Sequence, residues 1–375
     1  MRPVELPLPD PRALAASRAL LGRIGAELGA ARNWISFARY MELALHEPGL
    51  GYYAGGARKF GAGGDFVTAP ELSPLFARTL ARQVAEVLEP GEAVLEFGAG
   101  SGLLAEVLLS ELEGVRYEIL ETSPELRDRQ QRRLGSRVQW LDRLPRKFRG
   151  VMLANEVVDA MPVHALAWTA AGILERGVCA NEGQLAWSDR PAGGLILTHS
   201  KDLEIEIPPS GRYESELALF ARAWMRSLGR FLERGAVLVI DYGFPGREFF
   251  HPQRSMGTLA CHYRHHVHGD PFFLPGLQDI TAHVDFSALA RAAAEADLEV
   301  LGFAGQAQFL VNCGITDLLA EENPADAKRY LPAAAAAQKL LSPAEMGELF
   351  KVLAVGRGIE RPLTGFSNGD RSHAL

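Results

Sequence analysis

Residues 94–104 of the chain read Val94-Leu95-Glu96-Phe97-Gly98-Ala99-Gly100-Ser101-Gly102-Leu103-Leu104. An apolar run, a glycine-rich turn and a second apolar run in this order predict a buried strand, a tight turn and a helix. Glycines at every second position allow the backbone to approach a ligand closely at the helix N-terminus, where unpaired N–H groups point outward. The pattern therefore predicts a small-ligand site in an α/β fold.

Acidic residues around this turn distinguish between ligand classes. The dinucleotide fingerprint requires glycine at its sixth position, where the chain has Leu103. Glu96 precedes the first glycine by two residues, and a carboxylate there repels phosphate but can hold the amino group of an amino-acid-like ligand. Glu121 follows Gly102 by 19 residues, where nucleotide-binding sheets place the acid that chelates the ribose hydroxyls. Together they favour S-adenosyl-L-methionine over a purely structural glycine turn.

Two further residues concern the adenine base. Asp142 follows the third predicted strand, close to the aromatic Trp140. Its carboxylate suits the adenine amino group, while the aromatic side chain suits the ring. The alternative interpretation of Asp142 is a solvated loop acid.

The rest of the chain predicts an α/β protein. Residues 1–90 carry helical patterns and a glycine-rich loop, whereas short apolar runs alternate with amphipathic segments after residue 91, as in a parallel sheet with helices on both faces. The predicted sheet strands are residues 93–97, 116–120, 138–140, 151–154, 236–240, 298–303 and 351–355. Shorter hairpin-like strands are predicted at 172–178, 184–187, 194–198 and 203–207, followed by a helix over 213–231.

The same patterns predict a domain organisation. An N-terminal helical extension with a cofactor loop precedes a core that two insertions interrupt, and a polar tail that we expect to be flexible ends the chain. In order, the segments are the extension (1–90), the first part of the core (91–245) with its hairpin insertion (163–210), a lid insertion (246–278), the remaining core (279–358) and the tail (359–375).

Candidate acceptor-site residues follow the fourth strand. Asn155, Glu156 and Asp159 lie at its carboxyl end, where open α/β sheets bind ligands. Methyl transfer mainly requires an aligned nucleophile. Carboxylates suit a guanidinium nucleophile because they bind its planar fork of donors with two hydrogen bonds. Alternatively, Asn155 and Asp159 cap the next helix and only Glu156 reaches the pocket. Asp241, after the fifth strand, either lines the cleft or is a turn acid that backbone amides satisfy.

Histidines are concentrated in the second insertion. Residues 261–268 hold one cysteine and four histidines, but no second cluster lies at zinc-finger spacing. We therefore favour a polar lid or a substrate-contact loop over a metal site. His283 is a candidate proton acceptor or cleft wall, and Asp285 is expected to cap the following helix.

The amino-acid composition limits the class of protein and the compartment that we expect. The 375 residues carry a net charge of −7 and are 47% hydrophobic, which is typical of a globular protein of one large or two ordinary domains. The pI near 5.9 argues against a sequence-independent grip on nucleic acid. Three dispersed cysteines indicate a reducing compartment, and no apolar stretch reaches the length of a membrane span. We expect a soluble, cytoplasmic bacterial protein.

Several unusual strings resemble the MidA-like family of S-adenosyl-L-methionine-dependent methyltransferases. That family includes the mitochondrial complex I assembly factor that symmetrically dimethylates a protein arginine. The resemblance spans Ile35 to about Gly314. Its strings lie at residues 35–41, 49–53, 64–71, 96–102, 155–162, 241–243 and 279–285.

The resemblance implies a seven-stranded Rossmann-like class I methyltransferase sheet with a helical extension and a lid. In that family pattern Gly64-Asp65-Phe66 and Thr68 close over the cofactor, S-adenosyl-L-methionine, which leaves as S-adenosyl-L-homocysteine. The cofactor-binding set comprises Asp65, Thr68, Pro70, Glu96, Gly98, Gly100, Gly102, Glu121, Asp142 and Asn155, the catalytic set comprises Asn155, Glu156, Asp159 and His283, and no metal is assigned. We also expect the glycine-rich loop 56–64 to act as a gate, the alternative being a plain surface loop.

The predicted activity is methylation of a protein arginine. A respiratory NADH dehydrogenase subunit is the candidate substrate, and no nucleic acid partner is expected. Two alternatives remain open: a scaffold or assembly protein that retains the cofactor fold for partner binding, and a small-molecule methyltransferase with a narrow pocket. The sequence also leaves open whether the protein forms a homodimer.

Overall fold

The computed structural model describes residues 6–55 and 68–375. Asp65 and the whole of the expected gate, 56–64, lie outside these described residues. The chain divides into two units, each built from three segments. The first unit comprises Met1–Phe66, Asp159–Ala221 and Gly246–His283, and the second unit comprises Val67–Val158, Arg222–Pro245 and Val284–Leu375.

The strands alternate with helices through most of the second unit. In the described residues the strands are β1 (Ile35–Ser36), β2 (Ala93–Phe97), β3 (Arg116–Leu120), β4 (Gln139–Leu141), β5 (Phe148–Asn155), β6 (His164–Thr169), β7 (Gly172–Asn181), β8 (Gln184–Pro191), β9 (Arg212–Leu217), β10 (Leu232–Phe244), β11 (Ala260–Tyr263), β12 (His266–His268), β13 (Asp279–Thr281), β14 (Val284–Asp285), β15 (Glu299–Gly305) and β16 (Phe350–Arg357).

Two of the helices begin at a serine followed by proline, a sequence typical of helix N-termini. Ser73 and Ser123 each accept a backbone N–H bond at the start of a helix whose first residue is proline, as capping requires. In the described residues the α-helices are α1 (Pro11–Ala30), α2 (Phe37–His46), α3 (Ala69–Leu72), α4 (Pro74–Val87), α5 (Leu103–Glu111), α6 (Pro124–Leu134), α7 (Gly194–Lys201), α8 (Leu219–Phe231), α9 (Gly246–Phe249), α10 (Phe286–Ala294), α11 (Gln306–Asn312), α12 (Ile315–Ala320) and α13 (Ala327–Leu341). None of these helices has both the length and the apolar character needed to cross a bilayer.

A mixed sheet forms the centre of the second unit. Its strands follow the order β15-β16-β10-β5-β2-β3-β4, and β14 pairs with β10 beyond this path. All seven predicted sheet strands are present. The strands from β10 to β4 pair in parallel, while β16 pairs antiparallel with both of its neighbours. The strand order reverses between β2 and β5, so the carboxyl ends of these two strands flank the switch point where such sheets bind ligands.

The first unit contains a five-stranded and a three-stranded sheet. β7 pairs with β1, β6 and β8, and β6 also pairs with β9, while β11 joins β12 to β13. A core that includes Leu20, Phe37, Tyr40 and Tyr52 packs α1 and α2 in this unit. Its apolar side chains are spaced at helical intervals, as the sequence indicates.

Two of the predicted hairpin strands are wrong. Residues 194–198 belong to the helix α7, and no strand forms at 203–207. Ile196 and Ser200 are the buried residues of α7, which is the four-residue spacing of a helix face, and short apolar runs alone do not distinguish this from a strand. The helix predicted over 213–231 begins only at Leu219, because residues 212–217 pair with β6 as β9.

The C-terminal segment is not the free tail that we expected. Leu363 and Phe366 are buried in the core of the second unit, and the Phe366 ring lies 5.4 Å from that of Phe309. Asp370 accepts a hydrogen bond from the backbone N–H of Phe303 at 3.0 Å. A few apolar side chains thus anchor a segment whose polar composition suggests a frayed end.

The packing of Phe366 predicts a measurable contribution to stability. We expect Phe366→Ala to lower the free energy of unfolding by ~3 kcal/mol, because it removes a buried aromatic side chain and leaves a cavity. Urea denaturation followed by circular dichroism measures the loss. The control is Leu331→Ala, since Leu331 is 61% exposed and its truncation should change little. Equal unfolding midpoints for Phe366→Ala and the parent would contradict the anchoring role.

Candidate functional site

The glycine turn has the backbone that the sequence predicts. β2 is buried throughout, and Gly98, Gly100 and Gly102 then adopt φ values of 57°, 52° and 78°. A Cβ atom at residue 98 would lie 3.3 Å from Val157 Cγ2, so a side chain there is both strained and crowded. Gly102 caps α5 without a side-chain hydrogen bond, which leaves the first amides of the helix without a capping partner from that residue.

Glu96 is a buried carboxyl beneath this turn. It is 3% exposed, and its Oε2 accepts a hydrogen bond from the Tyr117 hydroxyl at 2.8 Å. Burial raises the pKa of Glu96 to about 8; the Tyr117 hydrogen bond opposes this shift, and the negative charge of Glu121 adds to it. A cationic partner would stabilise the ionised form of this buried carboxyl, because a positive charge offsets the free-energy cost of burying the carboxylate.

Glu121 directly follows the neighbouring strand β3, and both of its carboxylate oxygens accept hydrogen bonds. Oε1 accepts from the backbone N–H of Ser123 at 2.8 Å, and Oε2 accepts from the Gln130 side-chain amide at 3.0 Å. The Trp140 indole donates to Gln130 Oε1 at 3.1 Å. The aromatic residue near the predicted adenine position is therefore linked to the predicted ribose acid through Gln130.

Asp142, the acid predicted to contact adenine, is exposed, unlike the buried Glu96. Its side chain is 83% exposed and pairs with the Arg127 guanidinium. The structure does not bring this carboxylate into the hydrogen-bond network of Glu121, and its role toward adenine stays a prediction.

Asn155 and Glu156 lie at the carboxyl end of β5. The register aligns Ala154 with Phe97 on the adjacent strand β2, so the two residues emerge beside the glycine turn. Glu156 Oε1 accepts from Asn155 Nδ2 and from the Ala69 backbone N–H, each at 3.2 Å. Asn155 Oδ1 is buried and has no hydrogen-bond partner in the part of the chain that the structure describes.

The backbone of Glu156 is fixed in an uncommon conformation. Its φ is 53°, a left-handed value that non-glycine residues rarely adopt, and its N–H donates to the Ile240 carbonyl at 2.9 Å. Asp241 Oδ2 accepts from the Val158 N–H, and Oδ1 accepts from the Tyr242 N–H, both at 2.9 Å. Asp241 is fully buried, so backbone amides hold it as a turn acid, one of the two alternatives that the sequence left open.

Thr68 and Pro70 begin the helix that Glu156 contacts. Thr68 is the N-cap residue of α3 and makes no side-chain capping bond, and Pro70 follows in the first turn. Ala69 lies between them and donates its backbone N–H to Glu156 Oε1. Thr68 and Pro70 are therefore the chain neighbours of a residue that contacts the candidate acceptor-site residue Glu156. Their contact with the cofactor stays a prediction.

Asp159 and His283 belong to the first unit. Asp159 is 7% exposed, and its backbone carbonyl accepts from the Ala282 N–H at 3.0 Å. The backbone N–H of His283 donates to Thr258 Oγ1 at 3.0 Å. Burial, with a smaller effect of the positive charge of Arg254, lowers the pKa of His283 to about 4, so its imidazole is neutral at neutral pH.

The histidine-rich segment forms part of the three-stranded sheet. Cys261 aligns with His268 and His262 with Val267 across β11 and β12. Within 6–55 and 68–375, no three histidine, cysteine, aspartate or glutamate side chains lie close enough together to hold a metal ion. Asp285 caps α10 by accepting from the Ala288 N–H at 3.0 Å, which confirms the capping prediction.

Comparison with known proteins decides the family. Residues 75–304 match the family of S-adenosyl-L-methionine-dependent methyltransferases. The chain belongs to this family. The protein arginine methyltransferase NDUFAF7 of Danio rerio is 30% identical over 86% of the chain and 83% of its own length. The NDUFAF7 homolog of Drosophila melanogaster is 28% identical over 97% of the chain and 93% of its own length. The resemblance to the MidA-like family is confirmed.

A solved structure adds the cofactor. A crystal structure of a protein from Burkholderia thailandensis, bound to S-adenosyl-homocysteine, has a sequence 51% identical to this one. The match covers 99% of this chain and 100% of that chain, with a TM-score of 0.94. S-adenosyl-L-methionine is therefore the cofactor of this methyltransferase. The described residues fit it, since positive-φ glycines, a buried carboxyl in need of a cation and the unpartnered Asn155 Oδ1 all lie at the switch point.

The pKa of Glu96 predicts that ligand binding releases a proton. With its pKa raised to about 8, the Glu96 carboxyl is expected to be mostly protonated at pH 7 in the ligand-free protein, and the ammonium group of S-adenosyl-L-homocysteine, bound beside it, should favour the carboxylate. Affinity should therefore rise as the pH rises from 6 toward 8, by up to about tenfold per pH unit, and level off above the pKa. Calorimetry in buffers of different ionisation enthalpy counts the released protons.

A matched pair of variants isolates this effect. Glu96→Gln should bind more weakly and release no proton. Glu118→Gln, which changes another buried acid on the neighbouring strand, should retain the parent's pH dependence. An affinity of the parent that does not vary between pH 6 and 8 would contradict the coupling of ligand binding to the ionisation of Glu96.

Proposed function

We propose that this methyltransferase transfers a methyl group from S-adenosyl-L-methionine to a nitrogen of a protein arginine side chain. The observation that carries the proposal is the Glu156 carboxylate, which hydrogen bonds from Asn155 and Ala69 hold at the end of the strand next to the glycine turn. The curated relatives named as protein arginine methyltransferases support the same acceptor.

The cofactor would be held by residues of the second unit. We assign the amino group of its methionine portion to Glu96 and the carboxylate of that portion to the backbone amides of the glycine turn. The ribose hydroxyls are assigned to Glu121. Asn155 Oδ1, buried without a described partner, would gain one from the bound ligand. In this proposal the sheet is the class I methyltransferase sheet, and residues 246–278 are its lid.

The chain's contribution to the reaction is orientation of the acceptor. When bound, S-adenosyl-L-methionine supplies an electrophilic methyl group on its sulfonium centre. Glu156 would hold the guanidinium by charge-assisted hydrogen bonds and align one nitrogen for in-line attack. The same carboxylate would accept the proton that this nitrogen loses. Its fixed backbone, with φ of 53°, limits the orientations that the carboxylate samples.

Asp159 and His283 are further candidates in the proposed reaction. Asp159 follows Glu156 by three residues and offers a second carboxylate for the guanidinium. His283 is neutral at neutral pH because its pKa is lowered to about 4, so it can accept a hydrogen bond without adding positive charge, whereas the same lowered pKa disfavours its alternative role as a proton acceptor. We propose that the substrate is a protein, with a respiratory NADH dehydrogenase subunit as the first candidate.

The experiment compares protein methylation in bacteria with and without the gene. We expect mass spectrometry to find methylated arginine on one or a few proteins of the parent strain and not of the deletion strain. The parent gene should restore the modification. Glu156→Gln should not, because the amide keeps the acceptor for Ala69 and Asn155 but loses the charge, at a cost of about a hundredfold in kcat. Its affinity for S-adenosyl-L-homocysteine should stay within about threefold of the parent value.

Glu113→Gln is the control, since Glu113 is exposed and should be replaceable without effect. Methylation of a different residue type, or of a small molecule alone, would contradict the arginine proposal. Rescue of the deletion phenotype by Glu156→Gln without any methylation would favour the scaffold alternative.

A further inference from the structure

Gln130, in α6, is a buried residue that the sequence analysis did not single out. It is 0% exposed, and its side-chain amide connects three parts of the cofactor site. Nε2 donates to the Gly100 carbonyl at 3.1 Å and to Glu121 Oε2 at 3.0 Å, while Oε1 accepts from the Trp140 indole at 3.1 Å. One side chain thus links the glycine turn, the acid at the end of β3 and the aromatic residue of β4.

The partners of this amide leave it one orientation. The Trp140 N–H can only donate, whereas a backbone carbonyl and a carboxylate can only accept. Rotating the amide by half a turn would set an oxygen against the Gly100 and Glu121 oxygens and a nitrogen against the Trp140 donor. Three complementary bonds therefore define a fixed unit in which no polar atom of the buried amide lacks a partner.

This unit determines how the Glu121 carboxylate is presented. Gln130 holds one of its oxygens and the Ser123 N–H holds the other, so two bonds of different origin fix the carboxylate plane. Each carboxylate oxygen can accept more than one hydrogen bond. A carboxylate with a fixed plane can bind two neighbouring hydroxyl groups at once, which a freely rotating one does only at an entropic cost.

We propose that Gln130 is a positioning residue that fixes Glu121 against the glycine turn and thereby sets the preference of the site for a ribose with both hydroxyl groups. The inference rests on the assignment of the ribose to Glu121 in the proposed function. It predicts that the loss of Gln130 and the loss of one ribose hydroxyl affect binding through the same interaction, so their effects should not add.

The test measures the dissociation constants of two ligands by calorimetry. These are S-adenosyl-L-homocysteine and its 2′-deoxy analogue. The parent should bind the 2′-deoxy analogue about tenfold more weakly, the cost of one hydrogen bond to a charged group. Gln130→Leu should weaken S-adenosyl-L-homocysteine by about tenfold but the analogue by less than about threefold, so that the discrimination between them is lost.

Gln83→Leu is the matched control. Gln83 is also 0% exposed in the second unit, but its amide bonds go to Glu86 and to the Gly365 N–H. Its loss should lower thermal stability and leave the tenfold preference for ribose intact. If Gln130→Leu does not fold, Gln130→Glu serves instead, since it keeps the acceptor for Trp140 and opposes Glu121 with a second negative charge.

The outcomes test the positioning role of Gln130 separately from the proposed methylation of arginine. Equal weakening of both ligands by the Gln130 variants would overturn the positioning role, because it would indicate a general loss of the site. A parent protein that binds both ligands equally would overturn it as well, by removing the ribose from Glu121. Neither result bears on arginine as the acceptor, which the proteome comparison tests independently.

Discussion

The buried carboxyl of Glu96 is the group on which the proposed site depends. A carboxyl at the centre of a sheet is costly to ionise, and Tyr117 offsets only part of that cost. The glycine turn directly above it brings helix amides to the same place without side chains between them. In the proposed site, a ligand that carries both an ammonium and a carboxylate group would satisfy the two at once, and the methionine portion of the cofactor carries both groups.

The sheet turns this local chemistry into a site by its strand order. β2 and β5 are adjacent and lie on either side of the switch point, so the turn after one strand and the Asn155-Glu156 pair after the other share one edge. The Ile240 carbonyl and Asp241 on β10 hold the backbone around Glu156. Three consecutive parallel strands thus contribute the cofactor turn, the candidate acceptor residues and their support.

Much of this arrangement could be predicted from the sequence. Short apolar runs located all seven strands, and the glycine spacing predicted the backbone of the turn after β2, because both patterns are local. Tyr117 and Gln130 were missed: Tyr117 faces Glu96 only through the register of β3, and Gln130 lies in a polar helix among similar residues. Tertiary packing also decided α7 and the C-terminal segment, where a short apolar run and a polar tail gave the wrong prediction.

The most direct test of the central claim is a crystal structure of this chain with S-adenosyl-L-homocysteine bound. We expect the homocysteine amino group to lie within hydrogen-bond distance of Glu96, and both ribose hydroxyls to contact Glu121. Ligand density away from the glycine turn, or an amino group held by other residues with Glu96 still bonded only to Tyr117, would contradict it.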